Sequence, residues 1–152
     1  MLIMPMIDFY ATACDWLPRE TLPDGLFWFL AISFCNGIVI EIGRKIRAPE
    51  DEERGVETYS VLWGRRIATL AWLGAMGVCA ICAVFAARHI RFVAPVCVLL
   101  AVLIALAAFL GWRFLRHPAP GHGKRFELAS GVWTLSMYLS VGVVPLLFRQ
   151  QP

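Results

Sequence analysis

Four long stretches of this sequence carry almost no charge, and this feature restricts the possible folds more than any other. They are residues 25–43, 67–87, 92–112 and 128–148. Each is about 20 residues long, which is the length an α-helix needs to cross a bilayer. Residues 1–14 are apolar as well but too short to span unaided. We therefore expect an all-α integral membrane protein, a single transmembrane domain over residues 1–152 with about five helices, the first of them partial.

The composition agrees with a lipid environment. Charged residues make up 16% of the chain, against roughly 25% in soluble proteins, and hydrophobic residues make up 59%. Four of the five cysteines fall inside predicted spans, where a thiol behaves as a small apolar group. His117 and His122 occupy a turn-rich loop, where we expect solvated side chains. The sequence offers no basic face with stacking aromatic residues on a soluble fold, so we expect no nucleic-acid partner.

Lysine and arginine are unevenly shared among the connections between spans. Ten of the 14 lie in two connections, and cytoplasmic loops are the ones that collect such residues. They are Arg44, Lys45, Arg47, Arg54, Arg65 and Arg66 in the first connection, and Arg113, Arg116, Lys124 and Arg125 in the second. We therefore expect both connections, including the polar loop 44–66, to be cytoplasmic. The expected location is the inner or cytoplasmic membrane of a bacterium, in contact with lipid.

Residues 41–66 contain six basic and six acidic residues. A common interpretation is that Pro49 and the four acidic residues after it begin an ordinary helix, while the basic residues set topology. That interpretation does not explain why Asn36 and Glu41 lie inside a predicted span. Polar groups are costly there and usually face a cavity or a partner. Carboxylates suit Mg²⁺ and guanidinium groups suit phosphate. Together they indicate a pocket for a diphosphate.

Several stretches resemble one known family. The start "MLIMPMIDFYATACDWLP", the polar end of the span before residue 48 and the segment "GVETYSVLWG" are similar to the C-terminal part of UbiA-family prenyltransferases. The resemblance covers about the first 90 residues. It implies an all-helical fold of about nine spans around a central cavity, of which this chain would supply the last five. A missing N-terminal half would be a partner or an upstream segment, and the chain alone would be inactive.

The resemblance also implies a reaction and a site. Family members transfer a polyprenyl group from an isoprenoid diphosphate to an acceptor, with Mg²⁺ held by two aspartate-rich motifs. In this chain the three acidic positions of the second motif are Arg44, Arg47 and Asp51, so two of the three are reversed in charge. By resemblance, Arg44, Lys45 and Arg47 would bind the diphosphate, and Asp51 with Glu50 would bind the metal.

The remaining polar candidates are Asp8, Asn36 and Glu41, which we expect to face the cavity. Two other classes of function fit the same residues. One is a non-catalytic membrane protein whose basic loop binds anionic lipid or a partner subunit. The other is a transporter component in which Asp8 and Glu41 relay protons. The sequence therefore favours an enzyme of the prenyltransferase type without excluding these alternatives, and it assigns no catalytic residue.

Overall fold

The computed structural model describes residues 2–53 and 55–145. These residues are helical with connecting turns, and no strand occurs among them. The six α-helices, numbered along the chain, are α1 Ile3–Trp16, α2 Leu26–Arg44, α3 Tyr59–Leu62, α4 Gly64–His89, α5 Val93–Arg116 and α6 His122–Tyr138. The all-α prediction is confirmed for this part of the chain.

Three of the helices are long and apolar enough to cross a membrane. They are α2, α4 and α5, with 19, 26 and 24 residues. They include nearly all of the stretches predicted at 25–43, 67–87 and 92–112, so these boundaries are close. The predicted fourth span, 128–148, falls on α6 and the turns after it, and its last residues lie outside the described part. A bundle with five membrane crossings therefore stays a prediction.

Helix α2 is at the centre of the bundle, because α1, α4 and α6 all pack on it, while α5 packs on α4. The rings of Trp72 and Phe114 both meet the ring of Phe126 edge-on, with centroids 4.9 and 5.1 Å apart. Trp72 also donates from Nε1 to Ser130 Oγ at 2.9 Å. Gly43 lies where this pair approaches α2, and a Cβ atom there would collide with Ser130. Close packing of α2, α4 and α6 thus depends on a residue without a side chain.

A short series of hydrogen bonds joins α1 to the rest of the bundle. Tyr138 Oη donates to Asp8 Oδ2 at 2.9 Å and lies 3.0 Å from Ser33 Oγ. Helix α1 has no buried residue among those described, so it gains little from packing. A hydrogen bond to a carboxylate is therefore a main specific contact that fixes α1 on α2 and α6.

One local feature agrees with the sequence prediction and one differs. Helix α2 ends at Arg44, one residue beyond the predicted stretch 25–43, because Lys45 leaves the helical conformation with φ −101° and ψ 13°. Its irregular continuation buries Ile46 and Ala48 completely. His122 is only 4% exposed, so the expected solvated side chain is wrong for this residue. Its Nδ1 lies 2.8 Å from the carbonyl oxygen of Ala119 at the start of α6.

Helix α6 changes its hydrogen-bonding pattern near its end. Leu139–Val143 forms a π-helical turn, which places one residue more in the turn than an α-helix does. Ser140 and Val141 are buried within it. Such turns arise where a side chain must be directed to a face that a regular helix would not present.

Candidate functional site

The two basic connections meet at one end of the bundle. Asp51, in the connection after α2, accepts a hydrogen bond from the backbone N–H of Gly121 at 2.8 Å. Gly121 precedes α6 with φ +79°, a conformation that residues with a side chain rarely adopt. The contact joins residues 70 positions apart in the chain. The prediction that both connections lie on the same side of the membrane agrees with this contact.

The connection after α2 folds back on itself. Tyr59 donates its backbone N–H to the carbonyl oxygen of Lys45 at 3.1 Å, and the backbone N–H of Arg47 donates to Ser60 Oγ at 2.9 Å. Thr58 Oγ1 lies 2.8 Å from each carboxylate oxygen of Glu52, and Thr58 is 4% exposed. These bonds connect residues 45–53 with residues 55–60 and hold both segments against the bundle.

Two cavities flank Arg47 and Glu52 in this loop. We call the first, of about 270 Å³, the acidic cavity, because among the described residues of its wall four carboxylates outnumber two cationic side chains. Its wall is formed by Arg47, Glu50, Asp51, Glu52, Glu53, Gly121 and Lys124. We call the second, of about 250 Å³, the basic cavity, because its wall contains two guanidinium groups and one carboxylate. Its wall is formed by Arg47, Pro49, Glu52, Ser60, Val61 and Arg65.

Three cations of these walls are available for a ligand. Within residues 2–53 and 55–145, the side chains of Arg47, Arg65 and Lys124 form no ion pair and no hydrogen bond. Atom Nη1 of Arg65 is moreover shielded from solvent and has no hydrogen-bond partner. An unpartnered guanidinium N–H is unfavourable when desolvated, so an anion that accepts from it would gain more than on an open surface.

The structure places the three residues predicted from the resemblance to bind diphosphate in different surroundings. Arg47 lines both cavities, whereas Arg44 and Lys45 line neither. Glu41 accepts from both of these, from Arg44 Nη2 and Lys45 Nζ, at 2.8 Å each. The hydrogen bond to Glu41 raises the pKa of Lys45 above its ordinary value. These two cations therefore already share one carboxylate, about one turn away on the helix, which cancels one of their two positive charges.

The two residues predicted to bind a metal are neighbours in the wall of the acidic cavity. Glu50 and Asp51 both contribute to it. Asp51 uses Oδ2 on Gly121, and Glu52 uses both oxygens on Thr58. Among the described residues, no group of three or more His, Cys, Asp or Glu side chains is arranged to hold a metal ion. The carboxylates thus form no closed coordination shell, and Mg²⁺ binding stays a prediction.

The other predicted polar residues are distant from this loop. Asn36 is completely buried between α2 and α4, with Oδ1 3.4 Å from the thiol of Cys79. Asp8 lies in the contact with Tyr138, and Glu41 forms the ion pairs above. None of the three lines either cavity. The structure therefore does not bring them together with Arg47.

Four residues of the site were not singled out as ligands by the sequence. They are Arg65, Gly121, Gly123 and Lys124. Arg65 and Lys124 were counted as topology signals, which is the usual interpretation of isolated basic residues near span ends. Gly123 lies against Arg47, since a Cβ atom on it would be 3.0 Å from Arg47 Cδ and 3.0 Å from the carbonyl oxygen of Ile46. The glycines of "GHGK" were the available signal, because they permit a close approach of backbone to backbone.

A third cavity, of about 270 Å³, lies at the opposite end of the bundle, where α1 ends and α2 begins. Its wall is mainly apolar and includes Phe29, Ile90 and Val141, with His89 beside Gly25.

Comparisons of the chain with protein-family models, with curated proteins and with solved structures give no significant match. The function is therefore inferred from the geometry of the site.

Proposed function

We propose that the loop around Arg47 binds the diphosphate group of an isoprenoid diphosphate, and that the chain forms part of a membrane-embedded prenyltransferase. The observation that carries this proposal is the position of Arg47. Its guanidinium, which has no ion-pair partner within residues 2–53 and 55–145, lines two adjoining cavities at the end of a bundle that contains three apolar helices. A ligand with a charged head and a long apolar tail fits such a junction.

The proposed reaction is the transfer of a prenyl group. The C–O bond between the prenyl C1 and the diphosphate breaks with both electrons leaving on oxygen, so negative charge develops on the diphosphate. The acceptor forms a bond to C1 and releases a proton to water or a base. Arg47 and Lys124 would stabilise the leaving diphosphate by charge-assisted hydrogen bonds, and the apolar helices would shield the allylic cation from water.

Within this proposal, Mg²⁺ would sit beside Glu50 and Asp51 and neutralise further charge on the diphosphate. Because two of the three motif positions are arginines, we expect the guanidinium of Arg47 to contribute more to binding than the metal does. Membrane lipids would surround α2, α4 and α5.

Calorimetric titration of inorganic diphosphate into the protein in zwitterionic nanodiscs tests the proposal. One charge-assisted hydrogen bond is worth about 1.5–3 kcal/mol, so Arg47→Ala should weaken binding by about ten-fold to a hundred-fold. Arg47→Lys should recover only part of this, since an ammonium cannot bind two oxygens in the plane of a guanidinium. EDTA should weaken binding less than Arg47→Ala does.

Arg66→Ala is the matched control, because Arg66 is exposed and lines neither cavity. If Arg47→Ala and Arg66→Ala lower the affinity for diphosphate equally, then binding depends only on the total charge of the protein. Diphosphate binding that is indifferent to Arg47→Ala but suppressed by anionic lipid in the nanodiscs would favour the lipid-binding loop instead.

A further inference from the structure

The two cavities beside Arg47 differ in charge, and this difference bears on how a diphosphate would be oriented. The acidic cavity has four carboxylates in its wall and repels a free phosphate group. The basic cavity has Arg47 and Arg65 against the single carboxylate of Glu52. The hydroxyl of Thr58 lies 2.8 Å from both oxygens of Glu52 and holds that carboxylate in place, but its charge remains, so the two guanidinium groups outweigh it by one unit.

The basic cavity also presents hydrogen-bond donors without acceptors. Atom Nη1 of Arg65 has no partner among the described residues. Ser60 Oγ accepts from the backbone N–H of Arg47, and its own hydroxyl hydrogen meets no acceptor in the described residues. The guanidinium of Arg47 is unpaired as well within residues 2–53 and 55–145. The side chains of Arg47, Ser60 and Arg65 therefore line one cavity, and each has a hydrogen-bond donor without an acceptor among the described residues.

The position of Arg65 in the fold adds to this charge. It lies in the first turn of α4, a helix of 26 residues whose N-cap residue Trp63 provides no side-chain cap. Free backbone N–H groups and the positive end of the helix dipole are found at such a terminus. The carbonyl oxygen of Arg65 accepts from Thr69, while its guanidinium, although Nη1 is covered by neighbouring atoms, forms no hydrogen bond among the described residues.

We infer that the basic cavity is a subsite for one phosphate group, bound by Arg65 together with Arg47 and Ser60. This inference rests on the proposed function and extends it. The distal phosphate of the diphosphate would occupy the basic cavity, while the proximal phosphate, still bonded to the prenyl C1, would lie beside Arg47 at the border of the acidic cavity. Because Nη1 is covered by neighbouring atoms, the flexible Arg65 side chain must rotate slightly to receive the anion.

Arg65→Ala tests the subsite in the same calorimetric titration of inorganic diphosphate. The affinity should fall about ten-fold, which corresponds to the loss of one charge-assisted contact. Arg65→Lys should restore part of it, because a point charge supplies attraction but no planar fork. Arg66→Ala removes the adjacent, exposed arginine and should leave the affinity within about two-fold of that of the wild type.

Thermal unfolding without ligand separates binding from a merely structural role. Since the guanidinium of Arg65 contacts no acceptor in the described residues, Arg65→Ala should leave the unfolding midpoint of the ligand-free protein unchanged and reduce its rise with diphosphate, as a ten-fold weaker affinity requires. A lower midpoint of the ligand-free variant would assign Arg65 to the fold and overturn the inference.

The outcomes also separate this inference from the proposed function. If the wild type binds diphosphate and only Arg47→Ala weakens it, while Arg65→Ala behaves like Arg66→Ala, the subsite is wrong and the proposed function stands. If the wild type does not bind diphosphate at all, both are wrong.

Discussion

Gly123 and Arg47 pack against each other with no room for a further carbon atom. A Cβ atom on Gly123 would lie 3.0 Å from Arg47 Cδ and 3.5 Å from its Nη1. The glycine belongs to α6 and the arginine to the connection after α2, so the contact joins the two basic connections. The position of the guanidinium between the two cavities therefore depends on a residue that bears no charge.

Gly123→Ala should weaken diphosphate binding about ten-fold, or about 1.4 kcal/mol, because the added methyl group displaces the arginine side chain or the backbone at Ile46. Calorimetric titration measures the change. Gly131→Ala is the control, since it lies in the same helix and a Cβ there meets nothing within 4 Å. Equal affinities of the two variants would contradict the proposed role of the contact.

Gly43→Ala should destabilise the bundle. Its Cβ would collide with Ser130 and lie 3.0 Å from Trp72 Nε1, and overpacking of this kind costs roughly 1–3 kcal/mol. Thermal unfolding in detergent should show a lower midpoint. Gly77→Ala, where a Cβ meets nothing within 4 Å in α4, should leave the midpoint unchanged or raise it. A Gly43→Ala protein as stable as the wild type would mean that α2 and α6 separate more easily than this packing indicates.

Tyr138→Phe should loosen α1. The variant removes the hydroxyl that donates to Asp8, a bond worth about 1 kcal/mol, so the backbone amides of α1 should exchange with solvent about five-fold faster. Hydrogen exchange followed by mass spectrometry measures this. Tyr10→Phe removes a hydroxyl from a residue of α1 that is 80% exposed and should have no effect. Faster exchange in both variants would point to a general loss of membrane insertion.

Labelling from one side of the membrane should separate the two ends of the bundle. In a background without native cysteines, we expect Glu57→Cys and His117→Cys to react with a membrane-impermeant maleimide from the cytoplasmic side, and Arg91→Cys from the other side. All three residues are exposed. The expectation rests on the ten lysine and arginine residues in the two connections. Reaction of Glu57→Cys from the outside alone would reverse the topology.

Local sequence patterns were enough to place the long helices. Spans α2, α4 and α5 correspond to stretches without charge, and the closeness of Glu41 to Arg44 and Lys45 results from helical spacing. The same spacing explains why these two cations are not free for a ligand. An ion pair on the helix surface competes with the anion that Arg44 and Lys45 were expected to bind.

The site itself required contacts between distant parts of the chain. Gly121 reaches Asp51 across 70 residues, Lys124 shares the wall of the acidic cavity with it, and no periodic pattern links them. The sequence did not identify Arg65 as a ligand for a different reason. A basic residue at the start of a membrane helix is fully explained by topology, and the structure is needed to show that Arg65 lines the basic cavity with Nη1 shielded, whereas Arg66 is exposed and lines neither cavity.

The π-helical turn at Leu139–Val143 sets the direction in which its own side chains point. Each residue of an α-helix advances by about 100° around the axis, whereas a residue of the wider π turn advances by less. Val141, inside this turn, forms part of the wall of the apolar cavity at the far end of the bundle. The backbone hydrogen-bonding pattern of the turn therefore contributes to that wall, and substitutions that convert the turn to a regular helix would move Val141 without replacing it.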